Sequence, residues 1–257
     1  MATYTTEITS DSLDSDNPIH QRLIKAYYLA MPYFTGNLLE IGCGEGRGIQ
    51  LLEGKCERYV AIDKHGPVIE KLQSEFPWGE FKQMNIPPLA GIPDNTFDRV
   101  ISFQVIEHIK DDRVYLQEIK RVLKPGGIAL LTTPNRSFTL TRNPWHQREY
   151  LAAELEDLCK QVFDKVAIKG IGGNEKVMNY YQQNRDSVRK ITRFDIFDLQ
   201  HKLPASWLQL PYEILNRLNR QKLQNQDNSL VSGISHEDYL LKEAAEEGLD
   251  LFCILTK

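Results

Sequence analysis

No stretch limits the fold of this chain more than Leu38-Leu39-Glu40-Ile41-Gly42-Cys43-Gly44-Glu45-Gly46-Arg47-Gly48. Apolar residues around a single acid run into four glycines at alternating positions. The run reads as a buried parallel strand ending in a loop almost bare of side chains. Glycine lets the backbone approach a ligand closely and accepts positive φ without a Cβ clash. A helix that starts directly after such a loop turns unpaired N–H groups toward something polar. The same pattern also suits a plain strand-to-helix turn, so its meaning depends on the rest of the chain.

Downstream of the loop the pattern alternates. Residues 59–63, 81–84, 97–103, 128–133 and 166–171 read as strands, and apolar residues at helical spacing lie between them. Val68, Ile69, Leu72 and Phe76 mark one helix, Leu116, Ile119, Val122 and Leu123 a second, and Leu155, Leu158 and Val162 a third. Asp16-Asn17-Pro18 supplies a cap and a first-turn proline for an earlier helix to about Met31. Such alternation predicts a parallel sheet with helices on both faces, with ligands bound beyond the carboxyl ends of the strands.

The pattern breaks at Gly172-Gly173. Helical spacing follows through Val177, Tyr181, Val188 and Ile191, and a capping start is read at Thr192-Arg193-Phe194-Asp195. Another helix carries Trp207, Leu210, Ile214 and Leu218 around Pro211. An acidic helix is expected around Glu237–Glu247, and residues 249–255 form a last strand that returns to the sheet. Residues 173–240 are therefore an insertion beside the sheet, while 1–172 and 241–257 form one unit. Tyr180, Tyr181, Phe194, Phe197, Trp207 and Tyr212 are read as the core of a helical cap in preference to a pocket lining. Arg185, Arg189 and Arg193 are placed to meet an anionic group, and the segment is also placed to pair two chains.

The formal net charge of −4 leaves no chain-wide footprint for nucleic acid or an acidic membrane, although local patches are not excluded by it. No apolar run approaches the ~18 residues of a membrane span. The first sixteen residues are polar and acidic, unlike a signal peptide. Four scattered cysteines without a C-x-x-C pair point to reduced thiols and a cytoplasmic protein.

Several of these features together resemble one family, the class I S-adenosylmethionine-dependent methyltransferases, in particular the methyltransferase type 11 and ubiquinone-biosynthesis O-methyltransferase-like group. Residues 39–46 resemble the family's E/D-x-G-x-G-x-G motif, and Asp63 ends the second strand as the family's ribose-binding acid does. Asn85-Ile86 falls where the family contacts adenine, and Lys124-Pro125-Gly126-Gly127 matches its turn after the fourth strand's helix. The resemblance implies a Rossmann-like, doubly wound seven-stranded α/β sheet with an antiparallel last strand, and a helical insertion before that strand. It implies S-adenosyl-L-methionine as cofactor, contacted by Glu40, Gly42, Gly44, Gly46, Asp63, Lys64, Asn85, Ile86 and Gln104. A dinucleotide fingerprint does not fit, because a third glycine counted from Gly42 would fall at Arg47.

The reaction expected is methyl transfer to an oxygen or nitrogen of a small molecule. An RNA 2′-O-methyltransferase and a non-catalytic cofactor-binding module are the alternatives. His146, in the loop Asn143–Tyr150 after the fifth strand, is read as a general base. Glu107-His108 ends the fourth strand; both are read as catalytic candidates, His108 as an alternative base to His146, and the plainer reading makes His108 a cap of the helix beginning near Lys110. In two branches of the family, a similar E-x-x-E-H segment binds a divalent metal. Here Gln104, Glu107, His108 and His146 are the corresponding candidates. Glutamine replaces the first carboxylate, so no metal is expected.

Overall fold

A computed structural model of the chain describes residues 13–193 and 199–257. Residues 1–12, and the capping start and the pocket or core roles read for Phe194, Asp195 and Phe197, lie outside the described residues. The strands are β1 (Asn37–Ile41), β2 (Arg58–Asp63), β3 (Glu80–Gln83), β4 (Phe97–Phe103), β5 (Leu123–Pro134), β6 (Lys165–Gly173), β7 (Tyr239–Lys242) and β8 (Asp250–Thr256). They form one sheet in the order β3-β2-β1-β4-β5-β8-β6-β7. The pairs from β3 to β5 are parallel, and β8 runs antiparallel between β5 and β6.

Seven strands match the expectation, and β7 is an eighth. It takes the place of the acidic helix read around Glu237–Glu247. Most of the acids sit instead in two short 3-10 turns, His236–Asp238 and Ala245–Glu247, and Glu243, in the bend between, pairs with Lys169 at 2.7 Å. Between the two turns Tyr239 is buried and donates its hydroxyl to the Pro18 carbonyl at 2.6 Å. The intervening backbone pairs with β6 from Gly170 to Gly173, so ladder bonds outweigh a weak helical propensity.

Helices cover both faces: α1 (Asn17–Ala30), α2 (Ile49–Leu52), α3 (Gly66–Glu75), α4 (Asp112–Val122) and α5 (Ala152–Lys160). The two-residue period of β1 sends Leu39 and Ile41 to one side, where they pack with Leu116, Ile119 and Val122 of α4. Leu38 faces the other side with Tyr27 of α1, Ile49 and Leu72. Within the insertion, α6 (Glu175–Thr192), α7 (Leu199–Lys202), α8 (Ala205–Gln226) and α9 (Asn228–Gly233) follow β6. Helix α8 packs on α6 and α9 and against the turn Asp14–Asp16.

Two local expectations are corrected. Asp16 makes no cap bond to α1. Its carboxylate accepts from Arg220 of α8 at 3.0 Å, because an ion pair with a cation brought in by the insertion outcompetes a backbone N–H. Trp207, read as cap core, is not core, and it forms an outward stripe with Leu210, Ile214 and Leu218. Helix α8 turns Asn219 and Leu223 inward and leaves the stripe in solvent.

Glu40 is buried in β1 and accepts hydrogen bonds from Tyr27 Oη of α1 at 2.6 Å and from Tyr59 Oη of β2. Burial pushes its carboxyl above the ordinary range, against the opposing pull of the two phenols. Glu40→Ala strands both buried hydroxyls and should cost about 2–5 kcal/mol in urea unfolding, with Glu40→Gln milder. Because the folded state holds the Glu40 proton more tightly than the unfolded chain, stability falls as pH rises from the unfolded carboxyl value to the raised one. Glu40→Gln should remove that part of the slope.

Candidate active site

The carboxyl ends of β1, β2, β4 and β5 open on a cleft of about 530 Å³, a usual size for a small-molecule site. The glycine loop forms its floor. Gly42 and Cys43 donate their N–H groups to the Ile62 carbonyl at 2.8 and 3.3 Å. Asp63 accepts from Gly44 N through Oδ2 and from His65 N through Oδ1, both at 3.0 Å. The acid at the end of β2 thus shapes the loop from β1 and still faces the cleft. Gly42 has φ +77°, and a Cβ there would collide with Val105. Cys43 is buried, and burial together with the carboxylates of Glu40 and Asp63 pushes its thiol far up, which makes it a packing group.

Gly42, Gly44 and Asp63 line the cleft, as do Lys64, Asn85, Ile86 and Gln104. Glu40 and Gly46 do not. Glu40 spends its carboxylate on the two tyrosines beneath the loop, and the Cβ position of Gly46 is taken up by Leu72 and Ile49. Both support the floor from below. Gln104, at φ +57°, donates its backbone N–H to Thr132 O at 2.9 Å and its amide to Thr132 Oγ1 at 3.3 Å.

Glu107, His108 and His146 meet at the facing wall. Glu107 and His108 sit in the 3-10 turn Ile106–His108 after β4, and His146 lies on the loop after β5. Gln147 and Arg148 N–H groups bind the Glu107 carbonyl at 2.7 and 3.2 Å, which ties the two segments together. His146 Nδ1 lies 2.6 Å from Glu149 Oε1, and its Nε2 lies 2.8 Å from Asn143 Nδ2. An amide nitrogen only donates, so these partners assign the hydrogen to Nδ1 and the lone pair to Nε2. His108 Nδ1 donates to the Trp145 carbonyl at 3.1 Å, and the two imidazoles stand edge to face with centroids 4.8 Å apart. Glu107 is buried and accepts from Thr133 Oγ1 at 2.9 Å. Burial pushes its carboxyl up to about 7, and the nearby His146 opposes that shift.

One ligand atom each of Glu107, His108 and His146 lies within 4.8 Å of the others, a carboxylate and imidazole set able to hold a divalent cation. His108 does not cap α4. Asp111 does so, accepting from Val114 N at 3.3 Å. Sequence reasoning misses Glu149 as the partner of His146. The signal available is its position three residues on, inside the same loop segment.

The insertion supplies the remaining wall. Tyr180, Tyr181, Asn184, Tyr212, Asn219 and Arg220 line the cleft, so part of the aromatic set read as core faces the site. Asn219 donates to Asn184 Oδ1 at 2.7 Å, while its own buried Oδ1 has no hydrogen-bond partner among the described residues. Arg22 of α1 also lines the cleft, with Nε 3.2 Å from the buried Asp250 carboxylate. Of the arginines flagged in α6, Arg189 is exposed and Arg185 partly buried, and neither these two nor Arg193 lines the cleft.

A Rossmann-like sheet with its last strand antiparallel, a glycine floor and an acid ending β2 agree with the fold that the sequence resemblance implies. Residues 39–131 match the family described as a methyltransferase domain. The chain is 39% identical over 129 residues to a probable S-adenosylmethionine-dependent methyltransferase of Mycolicibacterium smegmatis, a match covering 48% of this chain and 50% of that one. It is 36% identical over 176 residues to a probable S-adenosylmethionine-dependent methyltransferase of Mycobacterium tuberculosis, covering 66% of this chain and 64% of the relative. The chain thus spans between half and just under two-thirds of the length of these curated relatives. A Thermotoga maritima structure described as a possible histamine N-methyltransferase shares the fold, with TM-score 0.57 at 16% identity over 93% of this chain and 91% of that one. The chain is thus similar, over residues 39–131, to a methyltransferase domain and, beyond it, to relatives described as S-adenosylmethionine-dependent.

Gly42→Ala should lower stability by about 1–3 kcal/mol, from its positive φ and from the Val105 collision together. Adding Val105→Ala should recover the collision part alone, read as a partial rise in the thermal midpoint.

Proposed function

We propose that the protein transfers a methyl group from S-adenosylmethionine to an oxygen or nitrogen of a small polar acceptor. The observation that carries this reading is the His146–Glu149 pair across the cleft from the Asp63-braced glycine loop. The residues fit the cofactor: the loop exposes backbone, each Asp63 oxygen keeps a lone pair for a ribose hydroxyl, and Ile86 offers an apolar edge to adenine. When bound, S-adenosylmethionine supplies a sulfonium-activated methyl group.

What this chain contributes is alignment and a proton acceptor. Once the acceptor displaces the Asn143 amide from His146 Nε2, that nitrogen takes the acceptor's proton: from a hydroxyl as the new bond to the methyl carbon forms and the carbon–sulfur bond breaks, or from an ammonium group before its nitrogen attacks. Glu149 keeps the imidazole in the required tautomer and offsets the charge it gains. Glu107, raised by burial, stays beside it as a hydrogen-bonding group, and His108 fixes the loop through Trp145. The unpartnered Asn219 Oδ1 calls for a donor on the acceptor. Arg22 and Arg220 face Asp250 and Asp16, which favours a compact polar molecule over a polyanion such as RNA. In this reading residues 173–240 cover the acceptor side, and the four thiols, none in a disulfide, suit the cytoplasm.

A second reading rests on the approach of Glu107, His108 and His146. A divalent cation held there would act as a Lewis acid on an acceptor oxygen.

Incubation with methyl-labelled cofactor and a cell extract, followed by identification of the labelled product, tests the activity and names the acceptor. His146→Ala should then lower turnover by about 10²–10⁴-fold with cofactor affinity unchanged, and unchanged turnover removes His146 from the mechanism. Asp63→Ala should weaken cofactor binding by at least about tenfold in calorimetry. EDTA should leave turnover intact, whereas loss restored by Mn²⁺ selects the second reading.

A further inference from the structure

Helix α8 has two unlike faces. Tyr212, Asn216, Asn219 and Arg220 look into the cleft. On the opposite face Trp207 is 70% exposed, Leu210 66%, Leu218 58% and Ile214 49%. Their spacing of three, four and four residues makes a continuous apolar stripe along the helix. Solvated residues of this size are common singly, but a row of four on one helix marks a contact surface.

Charge identifies what it contacts. At 100° per residue, the exposed Arg217 and Lys222 flank the stripe about a fifth of a turn to either side. The one carboxylate of the helix, Glu213, lies farther round toward the cleft. Apolar residues with an indole, bordered by cations on long stems, suit the boundary of an anionic bilayer. There the stripe enters the acyl region and the cations stay among headgroups. Pairing with a second copy about a two-fold axis would bring the cationic borders of one helix toward those of the other. No helix among the described residues is long and apolar enough to cross a membrane, so the contact is one of lying on the surface.

We infer that the outer face of α8 docks this protein on the surface of an anionic lipid membrane. The inference does not depend on the methyl-transfer reading. It departs from the expectation of no membrane partner, which rests on the whole-chain charge of −4 and not on the local balance of this helix. Docking would hold the cleft about one helix diameter, ~10 Å, from the headgroups.

The test is co-sedimentation of the full chain with phosphatidylcholine vesicles, with and without phosphatidylglycerol. Binding is expected to the anionic vesicles and to weaken as salt is raised. The triple variant Leu210→Gln, Ile214→Gln, Leu218→Gln changes only exposed positions and should bind at least about a hundredfold less tightly. Lys222→Glu, which leaves the stripe intact, should weaken binding several-fold. Wild-type protein that fails to sediment with anionic vesicles, or a triple variant that binds as well as wild type, overturns the proposal. So does a wild-type dimer in sedimentation equilibrium that the triple variant abolishes, because the stripe then belongs to a second copy.

Discussion

The burial of one carboxylate, Glu40, orders much of this molecule. A charged or protonated acid in the middle of a sheet needs donors, and the two it finds come from different elements, Tyr27 on α1 and Tyr59 on β2. Once Tyr27 is committed, its ring occupies the space where a side chain on residue 48 would begin, so the last position of the loop has to be glycine. The same ring packs edge-on against Phe103 at the end of β4, with centroids 4.9 Å apart. Helix α1 is thereby fixed over the loop. It brings Arg22 to the cleft and presents Asn17, whose amide binds the Val231 and Ile234 carbonyls at 2.8 and 2.9 Å. The insertion is seated on α1 through those contacts.

The cleft divides its work between two kinds of backbone. The cofactor side is built from strand ends and a loop held by main-chain bonds, with few side chains to vary. The acceptor side is built from side chains on a loop and on helices that arrive late in the chain. A short polar network, from Glu149 through His146 to the Glu107 and His108 turn, joins the two. Every link is local except the contact between the β4 and β5 segments, which the sheet itself enforces.

This division explains what can be read from the sequence. Strands β1, β2, β4 and β5 are legible because burial on both faces demands unbroken apolar runs, and Asp63 is legible as the acid that ends one. The positions of Gly42, Gly44 and the His146 loop follow from the same logic. Glu40 reads as a ligand contact because a motif records that an acid is present and not which way its side chain turns. Its partner tyrosines lie 13 and 19 residues away. The pairing of Asp16 with Arg220, 204 residues on, leaves no periodic trace. Strand β7 is hidden because four residues carry too little pattern to compete with the acids on either side. The outward stripe of α8 has the spacing of a core helix, and spacing alone does not tell a helix that buries its apolar face within its own chain from one that does not.

The place of β8 in the sheet bears on how the protein is made. It is the last of the eight strands among the described residues, yet it sits between β5 and β6 and hydrogen-bonds to both. During vectorial synthesis β5 and β6 leave the ribosome with a gap between them, and some eighty residues of insertion and turn must emerge before the filler strand does. Until then each presents a bare edge of unpaired backbone, the kind of surface that recruits chaperones or neighbouring nascent chains. Sheet closure therefore waits until the insertion has been made, and a synonymous change that slows translation across the insertion would prolong the interval of greatest risk.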